Sequence, residues 1–279
     1  MSGALLDIRG LSVFFGATRA LAGIDLALDP GTRLGLVGES GSGKSTLGLA
    51  VLGLLPADAV CTGEIQFRGR PLPVTDDHAM TRIRGHRIGF IYQDPMSAFS
   101  PVHTIGTHLV RALRAVRPGV SRREAEARAV TLLEEVEITR PRERLGHYPH
   151  EYSGGMLQRV MIAAALVGDP DLLIADEPTT ALDVSTQALV LRMLDRVVAA
   201  RGMGFILISH DLGVVAEACR EVAVMYGGKL IQRVAIANLQ AEAHPYTRAL
   251  LEARPTFGKR GQRLSTVADF LPAGWFDDA

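Results

Sequence analysis

The sequence predicts an α/β protein built on a largely parallel sheet, and three features of its 279 residues point there. Short runs of branched apolar residues, bounded by Gly, Pro or Asp, recur along the chain as buried strands do. Helical patterns lie between several of them, which is the alternation that parallel strands need for their crossovers. A glycine-rich turn, Gly38-Glu39-Ser40-Gly41-Ser42-Gly43-Lys44-Ser45, follows one such strand and precedes one such helix.

Taken in order, strands are predicted at 34–37, 88–92, 171–175, 204–209 and 221–225, and helices at 45–54, 156–167, 184–200 and 212–218. The first thirty residues differ. There Ile24, Leu26 and Leu28 alternate with Asp25, Ala27 and Asp29, the pattern of a half-exposed antiparallel strand, and 64–67 reads as another. Between about 95 and 152 the strand signal gives way to helices, predicting an inserted helical subdomain. Within it Ser121 and Glu124 form a capping pattern, and Ala129, Val130, Leu133 and Val136 follow at helical spacing. Pro141 and the stretch 146–149 are expected to be irregular connections.

Composition bounds the function. The chain is 47% hydrophobic and 22% charged, so it is globular, and no apolar run approaches the roughly 18 residues of a membrane helix. Asp7, Arg9 and Arg19 occupy the place where a secretory peptide would be apolar, which predicts a protein that stays in the cytoplasm. Thirty basic and thirty acidic side chains cancel, giving no electrostatic footprint for nucleic acid. Cys61 and Cys219 are too few for a disulfide framework and are expected to be small buried apolar residues. Only three of the basic residues are lysines, Lys44, Lys229 and Lys259.

Lys44 lies in the turn already noted, whose spacing is G-x-x-x-x-G-K-[ST]. Its glycines allow consecutive N–H groups to face a polyphosphate, the following helix adds its positive end, Lys44 reaches the β and γ phosphates, and Ser45 holds Mg²⁺. A plain Gly/Ser turn before a helix is the alternative for these residues alone. The run Leu172-Leu173-Ile174-Ala175-Asp176-Glu177-Pro178 reads as a buried strand ending in two carboxylates, which need a cation or partner. Asp176 suits the Mg²⁺ shell and Glu177 an attacking water. Ser153-Gly154-Gly155 opens a helix with a serine cap and bare glycines, which admit an anion but also describe an ordinary capped turn.

With these motifs in this order, the chain resembles the nucleotide-binding subunit of an ATP-binding cassette (ABC) transporter. The resemblance also takes in Gln93 after a strand, Ala181-Leu182-Asp183, and His210 after a strand, each of which alone would be an ordinary polar residue. It implies a phosphate-loop NTPase fold with a RecA-like core, an antiparallel β subdomain and a helical subdomain at about 95–152. The cassette would occupy 1–254 and a short tail 255–279. By the same resemblance Phe15 stacks on adenine, and Gly38, Glu39, Ser40, Gly41, Ser42, Gly43, Lys44, Ser45 and Thr46 bind ATP. Ser45, Gln93 and Asp176 would hold Mg²⁺. Glu177, His210, Lys44 and Gln93 would carry catalysis, with His210 on the γ-phosphate. Ser153, Gly154, Gly155 and Asp183 would act on the nucleotide of an opposing cassette.

Narrower likenesses lie in Tyr148-Pro149-His150-Glu151-Tyr152-Ser153-Gly154-Gly155-Met156-Leu157-Gln158-Arg159, in His210-Asp211-Leu212-Gly213-Val214-Val215-Ala216, in Val224-Met225-Tyr226 and in His244-Pro245-Tyr246-Thr247. They resemble the D-type ATPase of the oligopeptide, dipeptide and nickel importers. The expected partners are two transmembrane permeases, a distinct F-type cassette and, indirectly, an extracytoplasmic solute-binding protein, at the cytoplasmic face of the membrane and without nucleic acid. Met156 stands where the family usually has Gln, and Tyr152 where it has Leu. Two cysteines do not suffice for an iron–sulfur cluster, so none is expected. The rival readings are a soluble ABC ATPase of DNA repair or translation, and a cassette that has lost hydrolysis.

Overall fold

The computed structural model describes residues 3–180, 182–253 and 270. The chain opens with two long antiparallel strands, β1 (Leu6–Phe15) and β2 (Thr18–Leu28), then enters the central strand β3 (Arg33–Val37) and helix α1 (Lys44–Val51). Strands β4 (Ala59–Phe67) and β5 (Arg70–Pro71) return to β1, giving a four-stranded antiparallel sheet in the order β2-β1-β4-β5. Helix α2 (Asp77–Thr81) and strand β6 (Ile88–Ile91) follow.

Four helices come next: α3 (Pro95–Ala98), α4 (Ile105–Val116), α5 (Arg122–Glu135) and α6 (Pro141–Arg144). The chain then runs α7 (Gly154–Ala165), β7 (Leu172–Asp176), α8 (Val184–Arg201), β8 (Gly204–Ser209) and α9 (Leu212–Ala218). After α9 come β9 (Glu221–Tyr226), β10 (Lys229–Ala235) and α10 (Pro245–Glu252). The second sheet has the order β10-β9-β3-β8-β7-β6. Its strands from β9 to β6 are parallel, and β10 pairs antiparallel with β9 at one edge.

Both faces of the parallel sheet are covered, which is why its strands are continuously apolar. Leu34, Leu36, Leu172, Ile174, Ile206 and Ile208 pack with α1 and the four-stranded sheet. The alternate residues Val37, Leu173, Ala175, Phe205 and Leu207 pack with α7, α8 and α9. Period-2 geometry thus sends successive side chains of β7 and β8 into two different cores. Among the described residues no helix is long and apolar enough to cross a membrane.

The helical insertion is α3 to α6 with a single 3₁₀ turn, Pro149–Glu151. Ser121 and Glu124 make the expected reciprocal cap: the Ser121 hydroxyl accepts from the Glu124 N–H at 3.2 Å, and the Glu124 carboxylate accepts from the Ser121 N–H at 2.9 Å. Pro141 starts α6 rather than an irregular connection, since its missing N–H is no loss at the first helical position. Asp169 straps this insertion to the core. It accepts from Arg117 at 2.7 Å, from Arg128 at 2.8 Å and from Arg201 of α8 at 2.8 Å.

Three strands go beyond the sequence expectation. In β1 the alternation of Leu6 and Ile8 breaks at Arg9 and Gly10 and resumes at Leu11 and Val13, because the register against β2 shifts there. Strand β4 begins at Ala59, five residues before the predicted 64, and β10 is an edge strand with no clean alternation. Cys219 is buried as expected, but Cys61 on β4 is only half-buried. Ala181 lies outside the described residues, as does the tail 255–279 except Phe270.

Candidate active site

The turn between β3 and α1 has the shape of an anion cradle. Gly41 and Gly43 have φ of 82° and 98°, a region that side-chain-bearing residues avoid. At Gly38 the constraint is space, since a Cβ there would come 2.2 Å from the Met225 carbonyl oxygen. Lys44 is buried, and its Nζ donates to the carbonyls of Gly38 at 2.8 Å and Glu39 at 2.7 Å and to the Ser42 hydroxyl at 3.3 Å. Burial lowers its pKa below that of a free lysine, while the carboxylates of Glu177, Asp176 and Glu39 pull it back towards the charged form. Thr46 is half-buried one residue beyond the exposed Ser45.

The sheet order brings the acidic strand to this loop. β8 separates β3 from β7, so the carboxyl ends of β3, β8, β7 and β6 deliver the 38–45 turn, His210, the Asp176–Glu177 pair and Gln93 to one edge. The Ser45 hydroxyl donates to Asp176 Oδ1 at 3.0 Å. Burial raises the Asp176 pKa, the Ser45 hydrogen bond opposes this, Glu177 adds to the rise and Lys44 opposes it. A hydroxyl and a buried carboxylate converging beside a phosphate cradle are hard oxygen donors of the kind Mg²⁺ takes together with substrate phosphates, so the residues fit that ion. Among the described residues no cluster of three or more His, Cys, Asp or Glu side chains could hold a metal by itself.

Glu177 is the hub. Its Oε1 accepts from His210 Nδ1 at 3.0 Å, and its Oε2 accepts from the Thr180 hydroxyl at 2.9 Å and from Gln93 Nε2 at 3.2 Å. A carboxylate has roughly four acceptor sites, so three are filled and about one remains. Burial pushes its pKa up, but the hydrogen bonds from His210 and Thr180 and the charges of His210 and Lys44 outweigh that and leave it depressed. Its backbone is left-handed, with φ of 44°, which is strained for a residue with a Cβ.

A second group lies in a cavity of about 450 Å³ lined by Ser153, Gly154, Gly155, Asp183 and Thr186 among others. Ser153 caps α7 by accepting from the Met156 N–H at 3.3 Å, and Asp183 caps α8 by accepting from the Thr186 N–H at 3.0 Å. Gly155 lets the two helix starts approach, because a Cβ on it would come 2.4 Å from Thr186 Cγ2. Hydrogen bonds from Ser185 and Thr186 pull the Asp183 pKa down to about 2. None of the residues around Glu177 lines this cavity. Phe15 ends β1 half-buried against the antiparallel core, and the nearby stretch of β2 meets the phosphate loop, where a Cβ on Gly43 would come 2.8 Å from the Ala20 carbonyl. Tyr152 is buried, and its hydroxyl donates to the Arg144 carbonyl at 2.7 Å, so the larger ring is accommodated with its polar end paired.

Thr180 is the residue that sequence reasoning did not single out. The available signal was its place three residues after Glu177, the offset at which a side chain can return over a turn.

A phosphate cradle after the central strand, faced by the acidic tip of a nearby strand, defines a nucleotide hydrolase of the phosphate-loop class. The family profile described as ABC transporter matches residues 21–180. The chain is 46% identical over 277 residues to the probable peptide ABC transporter ATP-binding protein y4tR of Sinorhizobium fredii, covering 96% of this chain and 82% of that one. It is 43% identical over 275 residues to the oligopeptide transport ATP-binding protein OppD of Lactococcus lactis subsp. cremoris, covering 96% and 81%. The dimeric cassette MJ0796, solved in a post-hydrolysis state bound to ADP and Pi, superposes with a TM-score of 0.73 at 26% identity, covering 83% of this chain and 98% of that one. The cassette cbiO1 from Clostridium perfringens, part of the complex cbiONQ, superposes with a TM-score of 0.74 at 27% identity, covering 89% and 95%. The chain belongs to the ABC transporter family, as an ATP-binding cassette that hydrolyses ATP.

Proposed function

We propose that the chain is the ATPase subunit of an importer that carries peptides, with residues 1–254 as its cassette and two membrane permeases as its partners. The observation that carries this reading is the convergence on Glu177 of Gln93, Thr180 and His210 beside Lys44, Ser45 and Asp176. The names of the relatives, peptide and oligopeptide transport ATP-binding proteins, support the cargo class. Nickel and metallophore-type solutes remain within the wider group that the sequence resembles.

In this reading the amides of 38–45 and Lys44 bind the phosphates of ATP, and Phe15 stacks on its adenine. Ser45, Asp176 and Gln93 would hold Mg²⁺, which when bound neutralises charge on the phosphates. Glu177, kept ionised by its hydrogen bonds, accepts from the attacking water through its remaining acceptor site. His210, bridged to Glu177, holds charge developing at the γ-phosphate. The cradle beside Ser45 already provides a phosphate site within this subunit. The anion-friendly start of α7, with Asp183 beside it, is therefore assigned to the nucleotide of an opposing cassette, a distinct F-type subunit. A solute-binding protein meets the permeases on the far side, and this subunit sits on the cytoplasmic face.

The test is isolation of tagged Glu177→Gln from native membranes with Mg-ATP, followed by mass spectrometry of the intact complex. Two permeases and a second, different cassette are expected. A water-soluble complex without permeases would replace this reading with that of a soluble cassette.

A further inference from the structure

The stretch His244-Pro245-Tyr246-Thr247 is held far more firmly than the start of a short helix requires. Gln232 on β10 clamps it. Its Oε1 accepts from the His244 backbone N–H at 2.9 Å and from the Thr247 hydroxyl at 2.7 Å, while its Nε2 donates to the Glu242 carbonyl at 2.6 Å. His244 Nδ1 accepts from the Tyr246 N–H at 3.3 Å as α10 begins. Tyr246 and Thr247 are fully enclosed, each 0% exposed.

From this clamp a path of contacts leads to the phosphate loop. The Tyr246 ring lies 4.6 Å, centroid to centroid, from that of Tyr226, the last residue of β9. The preceding residue, Met225, presents its carbonyl to Gly38, where no Cβ would fit. The Tyr246 hydroxyl is buried and has no hydrogen-bond partner; burial pushes its pKa up, and the charge of Glu39 adds to the rise. The Glu39 carbonyl in turn accepts from Lys44. A buried hydroxyl that is poorly paired destabilises a fold, and phenylalanine would fill the same space without that penalty. The hydroxyl therefore calls for a role outside packing.

We infer that Tyr246 is a positioning residue for the phosphate loop: enclosed against Tyr226 behind Gly38, it backs the 38–44 turn with its ring and its unpaired hydroxyl and keeps that turn in the shape that binds ATP. This rests on the phosphate-loop reading of that turn. Helix α10 thereby sets nucleotide affinity from behind the loop, without touching the nucleotide.

The test compares the full-length wild type with Tyr246→Phe, Glu39→Ala, their double variant and Lys44→Ala. ATP affinity is measured by calorimetry, Tm by thermal unfolding, and KM and kcat on the assembled transporter. Tyr246→Phe should weaken ATP binding about three- to tenfold, the scale of one weak polar contact. KM should rise by a larger factor than kcat falls, and Tm should be equal or higher. Glu39→Ala should weaken binding similarly, and the double variant should add little to either. Wild-type affinity and KM in Tyr246→Phe, or fully additive effects in the double variant, overturns the inference. If Tm falls with affinity, Gln232→Leu decides, since it loosens the clamp and keeps the hydroxyl: an equal loss of affinity there makes Tyr246 a structural residue only. Lys44→Ala separates the two levels. ATP binding undiminished in that variant would defeat the phosphate-loop reading itself, whereas loss there beside wild-type binding in Tyr246→Phe defeats only the role given to Tyr246.

Discussion

The hydroxyl of Ser45 and the carboxylate of Asp176 meet at 3.0 Å although 131 residues separate them in the chain. Ser45 stands at the head of α1 and Asp176 at the tip of β7, with β8 lying between β7 and β3 in the sheet. The parallel register brings them together: Val37 pairs with Ser209, and Asp176 with Ile208, so the strands end level at one edge.

Glu177→Gln keeps the shape of the side chain and removes its charge. ATP should still bind, and steady-state hydrolysis should fall by about 10²- to 10⁴-fold, the range of a general-base contribution. A phosphate-release assay on the assembled transporter checks this, and near-normal turnover would remove Glu177 from the base role.

Lys44→Ala removes a buried cation that spans the loop carbonyls. Charge-assisted contacts of this kind contribute about 1.5–3 kcal/mol. ATP affinity should therefore drop by about 10- to 100-fold in a calorimetric titration.

Gly155→Ala should destabilise the fold even though alanine is the better helix former. Propensity favours alanine by about 1 kcal/mol. The new Cβ would sit 2.4 Å from Thr186 Cγ2, and such overpacking costs about 1–3 kcal/mol, leaving a net loss of about 1 kcal/mol. Adding Thr186→Ser, which deletes that methyl group, should recover most of the loss in urea unfolding.

Asp169→Ala should loosen the strap between the helical insertion and the core. It deletes the pairs with Arg117, Arg128 and Arg201 and leaves alanine at φ of 52°, where aspartate is better tolerated. With the pairs discounted for solvent exposure, the loss is about 1–2 kcal/mol in chemical denaturation. A change below about 0.3 kcal/mol would show that the network is decorative.

The cap of α8 carries a pH signature. The folded pKa of Asp183 is depressed to about 2 by hydrogen bonds from Ser185 and Thr186, below the roughly 3.9 of an unfolded aspartate. Its stabilising contribution is therefore complete above about pH 4 and disappears as the pH falls through about 2. Asp183→Asn should flatten this part of the stability profile between pH 2 and about 4, measured by unfolding at each pH.

The chemistry of this chain was more legible in its sequence than its architecture. The 38–45 turn, Asp176, Glu177 and His210 could be read because each motif follows a buried strand, whose apolar run announces it. β1 escaped because a bulge at Arg9 and Gly10 shifts the register and splits one alternation into two short ones. β10 escaped because an edge strand packs on one side only. Thr180 was invisible for another reason. Its contact with Glu177 depends on a tight turn after β7, and no periodicity encodes that turn. Tyr246 could be seen as part of a motif, but its place against Tyr226, next to the Met225 carbonyl that faces Gly38, needs the sheet to be assembled first.

The left-handed backbone at Glu177 sets heat tolerance against turnover. Glycine or asparagine would relax that turn, since both adopt positive φ more readily, and either would remove the carboxylate. Selection of random variants for survival at high temperature alone should therefore enrich replacements at position 177 and drift towards inert cassettes. A screen that demands growth on imported solute at the same temperature should retain the glutamate and find its stabilising changes elsewhere.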